Sequence, residues 1–163
     1  MGGHRRYEKE EIEKARGIEQ EEKKTVIYSR VSSHEQKNDL KRQTQELEAY
    51  CAKEDIEKVE TIEDIGSGLN YKKKGLKKLI NKVINGEIKR VVISYKDRLV
   101  RFGWEILTQV FNLCNVEFVV LHEQGSKGYE QELVEDVLAI LTVFTSKIYG
   151  KRSHARRKAR ANG

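Results

Sequence analysis

Apolar positions along the chain fall into short unbroken runs that alternate with helical stripes. Val26-Ile27-Tyr28 is such a run, the pattern of a buried strand. Leu40, Thr44, Leu47 and Cys51 then recur at helical spacing and predict a helix over residues 40–53. Residues 59–62 read as a second strand, and Leu76, Leu79, Ile80 and Val83 share a helical face that ends near Asn85-Gly86. Residues 90–94 form a third predicted strand. Phe102, Ile106, Leu107, Val110, Phe111 and Cys114 predict an amphipathic helix over residues 102–114 with Trp104 outside its stripe, and residues 117–121 a fourth strand. The order β-α-β-α-β-α-β-α implies an α/β fold with a mostly parallel, four-stranded central sheet.

The last predicted helix, residues 131–149, does not fit one stripe. Leu133, Val134, Val137, Leu138, Ile140, Leu141, Val143, Phe144 and Ile148 cover more than one face. A helix packed on a single sheet needs only one apolar face. The surplus predicts burial against a second copy, and so a homodimer. Residues 150–163 follow as a basic tail holding Lys151, Arg152, Arg156, Arg157, Lys158 and Arg160 with no acid, suited to a DNA backbone or to disorder.

Composition narrows the class. The 163 residues suffice for one domain with a real core, and 36% are charged. The net charge of +6 favours a polyanionic partner, nucleic acid or an acidic membrane. No apolar run approaches the roughly 20 residues that cross a bilayer, and no hydrophobic signal region opens the sequence, so a cytoplasmic protein is expected. Cys51 and Cys114 lack metal-ligand spacing and read as packing residues, while His4, His34, His122 and His154 are scattered. No acidic cluster of the two-metal type is present, and neither a metal nor another cofactor is expected.

Candidate chemistry sits where strands end. The first stops at Ser29-Arg30-Val31-Ser32-Ser33, which places hydroxyls and a guanidinium at the carboxyl edge of a sheet, where open α/β sheets bind ligands. Arginine's planar fork suits a phosphate, but serines also crowd into turns and caps, and both readings stand on these residues alone. Asp64-Ile65-Gly66-Ser67-Gly68 is a glycine-rich turn that lets backbone approach a ligand closely, or an ordinary turn. Lys72, Lys73, Lys74, Lys77 and Lys78 crowd the start of the next helix, against its dipole, which favours a phosphate partner over a merely solvated face. The third strand delivers Tyr95-Lys96-Asp97-Arg98-Leu99-Val100-Arg101. If a helical turn begins after Asp97, Arg98 and Arg101 share a face beside one carboxylate; the plain alternative is a surface Asp–Arg pair.

Two of these stretches resemble a known family. Tyr28-Ser29-Arg30-Val31-Ser32-Ser33-His34-Glu35-Gln36 is similar to the Tyr-x-Arg-Val-Ser-Ser/Thr-x-x-Gln pattern of the serine recombinases, and Asp97-Arg98-Leu99-Val100-Arg101 to their second signature, Asp-Arg-Leu-x-Arg. The resemblance covers about residues 25–150. It implies a three-layer resolvase-like fold with a long C-terminal dimerisation helix, and a site-specific recombinase or transposase that cleaves and rejoins double-stranded DNA through a 5′-phosphoserine, without metal or ATP. Ser32 would be the nucleophile, Arg30, Arg98 and Arg101 would hold the phosphate, and Asp97 would shuttle a proton. Gln36, Gln43, Ser67 and Lys73 would bind DNA or support the site, with Lys73 standing where the family usually has an arginine. Partners would be transposon ends and target DNA, and a homodimer that becomes a tetramer when active. The opening Gly2-Gly3-His4-Arg5-Arg6-Tyr7 resembles the end of a MerR-type wing, as in the insertion-sequence transposase branch. Three segments are expected: residues 1–24 the remnant of a DNA-binding domain plus linker, 25–150 the catalytic domain, and 151–163 the tail. Alternatives are a catalytically silent DNA-binding or dimerising protein of the same fold, and a phosphoester- or nucleotide-binding protein that shares only the fold.

Overall fold

The computed structural model describes residues 22–125 and 128–161. The wing-like opening lies outside the described residues.

Strand β1 (Lys24–Val31) is followed by a single 3₁₀ turn (His34–Gln36) and helix α1 (Lys37–Lys53). Strand β2 (Val59–Ile65), helix α2 (Lys74–Ile84) and strand β3 (Ile88–Ile93) come next. A one-turn helix α3 (Lys96–Leu99), helix α4 (Trp104–Leu113), strand β4 (Glu117–Val120) and the long helix α5 (Tyr129–Ala161) complete the order. The sheet runs β2-β1-β3-β4, and every neighbouring pair is parallel.

Two hydrophobic layers flank this sheet, which is why its central strands read as unbroken apolar runs. Val26, Tyr28, Val91 and Ile93 face one side, against Leu76, Leu79 and Val83 of α2 and Phe111 of α4. Ile27 and Val92, on the alternate positions, face the other side, against Leu47 and Cys51 of α1. The predicted α1 face is the buried one: Leu40, Thr44, Leu47 and Cys51 all point inward. Both cysteines are free thiols, as packing residues would be.

Helix α4 sits differently from its predicted stripe. Phe111 is buried, but Phe102 is 52% exposed and Ile106 71% exposed. Trp104 instead joins the packed side, its ring 4.9 Å from that of Phe118. A large indole seated on an edge strand outweighs two smaller side chains, so the helix turns toward it. Helix α5 continues unbroken through residues 150–161, past the end expected near residue 149.

The lysine-rich start of α2 has an internal anion. Asp64, at the end of β2, accepts the backbone N–H groups of Gly75 (2.9 Å) and Leu76 (2.8 Å) and the hydroxyl of Tyr28 (2.7 Å). A carboxylate therefore occupies the positive end of the helix dipole, where the sequence pointed to an external phosphate. Burial and this bond push the Tyr28 hydroxyl's pKa well above its ordinary value. A Cβ on Gly75 would lie 2.7 Å from the Asp64 carboxylate. Gly75→Ala is expected to cost about 1–3 kcal/mol, seen as a lower urea midpoint at unchanged slope. An unchanged midpoint would mean that the carboxylate can step aside.

Candidate active site

Most of the candidate side chains gather at the carboxyl edge of the sheet from segments that follow the strands, while Gln43 comes from α1 and Lys73 from the start of α2. Arg30, the penultimate residue of strand β1, has a fully buried side chain. Its guanidinium donates from Nε to the Arg98 carbonyl (2.9 Å), from Nη1 to that of Gly66 (2.9 Å), and from Nη2 to that of Asp97 (2.7 Å). The same Nη2 meets Glu132 Oε1 at 2.7 Å. Arg30 thus ties the ends of three strands together. Burial, and then the neighbouring Arg98, lower its pKa from the usual guanidinium value.

One residue past β1, Ser32 is half-buried. Its hydroxyl donates to Gln36 Oε1 at 2.7 Å, and the same oxygen accepts the backbone N–H groups of Ser32 (3.1 Å) and Ser33 (3.2 Å). Gln36 therefore fixes both the loop and the hydroxyl. Gln43, on α1, braces Arg30: its Oε1 accepts the Arg30 N–H at 3.0 Å and its Nε2 donates to the Arg30 carbonyl at 3.3 Å. His34 is exposed on the turn.

Asp97 and Arg98 lie in α3, which ends before Arg101, so the two arginines are not neighbours on one helical face. They converge through a shared partner instead. Arg98 Nη2 binds both Asp97 Oδ2 and Glu132 Oε2, the latter at 2.6 Å. Arg101 Nη2 lies 2.8 Å from Glu132 Oε1, and its Nε donates to Asp136 Oδ2 at 2.9 Å. Gly68 makes room for this: its carbonyl accepts the Arg101 N–H at 3.1 Å, and a Cβ there would sit 3.1 Å from the Arg101 Cβ.

The remaining candidates support this centre. Ser67 donates to Asp136 Oδ1 at 2.6 Å. Lys73 Nζ donates to the carbonyls of Ser67 (3.0 Å) and Asn70 (2.6 Å), bracing the glycine-rich turn instead of presenting its charge to the cavity. Burial, then Arg30, lower its pKa to about 8.

Glu132 and Asp136, which sequence reasoning did not single out, are the carboxylates at the focus. They stand one turn apart near the start of α5, on one face. An acid pair at that spacing, ahead of an apolar stretch, was the available signal. Burial works to raise the Glu132 pKa, but the charges and hydrogen bonds of Arg30 and Arg98 outweigh it and hold it below the ordinary carboxylate value. Burial likewise opposes the Arg98 charge, and Asp97 and Glu132 outweigh it, leaving that pKa raised.

A cavity of about 610 Å³ opens beside this cluster, lined by Ser32, Gln36, Gln43, Arg98, Glu132 and Glu135 among others. Arg30, Asp97 and Arg101 lie behind that lining. Among the described residues no group of three or more His, Cys, Asp or Glu could hold a metal, and no helix is long and apolar enough to cross a membrane.

The chain is similar to known proteins. Residues 25–163 match the family described as resolvase, N terminal domain. The provisionally named resolvase L103 of Acanthamoeba polyphaga mimivirus is 40% identical over 153 residues, covering 93% of this chain and 78% of that protein. A serine recombinase from Sulfolobus solfataricus is 46% identical, with a TM-score of 0.72 over 80% of this chain and 88% of its own. The C-terminal catalytic domain of ISC1926 TnpA, an IS607-like serine recombinase, is also 46% identical, with a TM-score of 0.74 over 80% of this chain and 89% of its own. A family match over most of the chain, together with relatives at this identity, makes the chain a member of the resolvase family of serine recombinases.

Proposed function

We propose that this chain cleaves and rejoins double-stranded DNA, at transposon ends and targets, through a covalent 5′-phosphoserine. The observation that carries the reading is the shared cavity: Ser32 faces the same space as Arg98, at the edge where three strand ends are tied together. In the first step Ser32 Oγ attacks phosphorus, an ester bond forms, and the bond to the 3′-oxygen breaks. The hydroxyl proton leaves Ser32 and a proton reaches the 3′-oxygen, with Asp97 as the shuttle. Arg98 and Arg101, with Arg30 reaching from beneath, offset the charge that grows on the non-bridging oxygens. Gln36 positions the nucleophile, Gln43 the Arg30 backbone, and Ser67 and Lys73 the glycine-rich turn whose Gly68 carbonyl holds the Arg101 N–H. The phosphoserine keeps the energy of the broken bond, so resealing needs no ATP.

Residues 1–24 are read within the same proposal as the end of a MerR-type DNA-binding domain. The experiment is denaturing gel analysis of the protein with a cognate DNA end: an adduct that depends on Ser32 supports strand transfer. Binding without an adduct favours the silent module, a reading that rests on Lys73 turning toward carbonyls.

The partner for α5 is proposed to be a second copy. Val134, Leu138, Leu141 and Phe144 are each more than half exposed. Contiguous apolar surface of this extent marks an interaction site. Sedimentation at micromolar concentration is expected to give a dimer, and Leu138→Glu with Leu141→Glu a monomer. A wild-type monomer at high concentration would count against the pairing.

A further inference from the structure

Helix α5 meets the body of the protein through ions. Tyr129, Glu132 and Leu133 are half-buried and Asp136 is buried, whereas every residue from 137 to 161 is exposed. The docked contacts are Glu132 against Arg30, Arg98 and Arg101, Asp136 against Arg101 and Ser67, and the Tyr129 ring 5.2 Å from the Arg101 guanidinium carbon. Helices usually dock by an apolar face; here the anchor is a carboxylate among guanidiniums.

The charge balance of the cluster is informative. Among the described residues, three guanidiniums, Arg30, Arg98 and Arg101, are ion-paired with three carboxylates, Asp97, Glu132 and Asp136, so the charges of these six side chains balance. Without the two carboxylates of α5, the cluster would carry two net positive charges in a buried setting, strongly favourable to a phosphodiester and more so to its doubly charged transition state. Glu132 lines the same cavity as Ser32, so an anion in that position would lie within the nucleophile's space. The carboxylate is also an imperfect occupant: Nη1 and Nη2 of Arg101 are buried with no acceptor in hydrogen-bonding geometry.

We propose that Glu132 is a stand-in for the scissile phosphate, and that docked α5 and DNA phosphate compete for one arginine cluster. This rests on the proposed strand-transfer reading for the identity of the competing ligand. The consequence is an enzyme held off by its own helix: the start of α5 leaves the cluster before a phosphate enters, and Glu132 returns to neutralise it afterwards.

The test uses inorganic phosphate as the probe and hydrogen–deuterium exchange of the amides of residues 132–137 as the readout. In the wild-type chain, phosphate is expected to speed exchange there, while chloride at equal ionic strength is not. Glu132→Gln keeps the shape and removes the charge, and is expected to lower the phosphate concentration for half-maximal release at least tenfold. It is also expected to raise the yield of Ser32–DNA adduct. Should Glu132→Gln fail to fold, the wild-type comparison of phosphate with chloride decides alone. Phosphate without effect on α5, or an effect matched by chloride, overturns the competition. Phosphate-specific release with no adduct from either protein would remove the recombinase reading and leave the competition standing.

Discussion

Ser32→Ala is expected to abolish the protein–DNA adduct completely, while His34→Ala leaves its yield within about twofold of wild type. The two residues lie two positions apart, but their surroundings differ. The Ser32 hydroxyl is held by Gln36 and faces the cavity, whereas His34 lies exposed on the 3₁₀ turn. Losing the attacking oxygen removes the covalent step outright, so the change should exceed the 10²–10³-fold typical of losing one electrostatic contact. The measurement is adduct yield on a denaturing gel, with circular dichroism to show that both variants fold. Because Ser32 bonds to Gln36 alone among its described side-chain partners, Ser32→Ala should leave the melting temperature nearly unchanged. An adduct surviving in Ser32→Ala would move the nucleophile elsewhere, and with it the chemistry.

Arg30→Ala is expected to damage the protein in another way, by loosening the sheet edge itself. Its guanidinium serves the carbonyls of Arg98, Gly66 and Asp97 as well as Glu132. Truncation leaves three carbonyl acceptors, two of them in buried contacts, and a half-buried carboxylate short of a partner. Breaking a buried ion pair from one side costs about 3–5 kcal/mol. For a domain of this size that corresponds to a fall of roughly 10 °C in Tm. Adduct formation should be lost as well, and part of that loss is architectural, so the assay belongs well below the variant's own melting point. Arg30→Lys should recover little, because a point charge cannot serve three carbonyls at fixed angles. A melting temperature equal to wild type would show that Arg30 acts on the substrate alone.

The sheet was legible because its central strands are buried on both faces and leave unbroken apolar runs. Helix α1 was legible because its buried positions keep strict spacing. Helix α4 was read one turn of the wheel away, since Phe102, Ile106 and Val110 are apolar but exposed, and nothing in the spacing shows that Trp104 meets Phe118. The end of α5 was missed for a related reason: apolar periodicity stops near Ile148, yet lysine, arginine and alanine propagate a helix without it, and cations suit its carboxyl end.

At the site, the signatures around Ser32 and Asp97 both lie just past strand ends, at the carboxyl edge of the sheet. They could not show what those arginines hold. Glu132 lies 102 positions from Arg30 along the chain. In a helix read for its apolar residues, a glutamate passes for solvent-facing. Nor does spacing reveal that the Lys73 ammonium serves two carbonyls, or that Asp64 already supplies the anion at the start of α2.

An unbroken α5 is also a spacer. At about 1.5 Å per residue, Lys151 stands roughly 30 Å along the axis from Glu132, and Arg160 roughly 40 Å. One turn of duplex DNA, about 34 Å, falls between those distances. On the proposed function, the cationic end of the helix would therefore meet the duplex about one turn from the bond being cut, and the length of a single secondary-structure element would set the spacing between the two footprints.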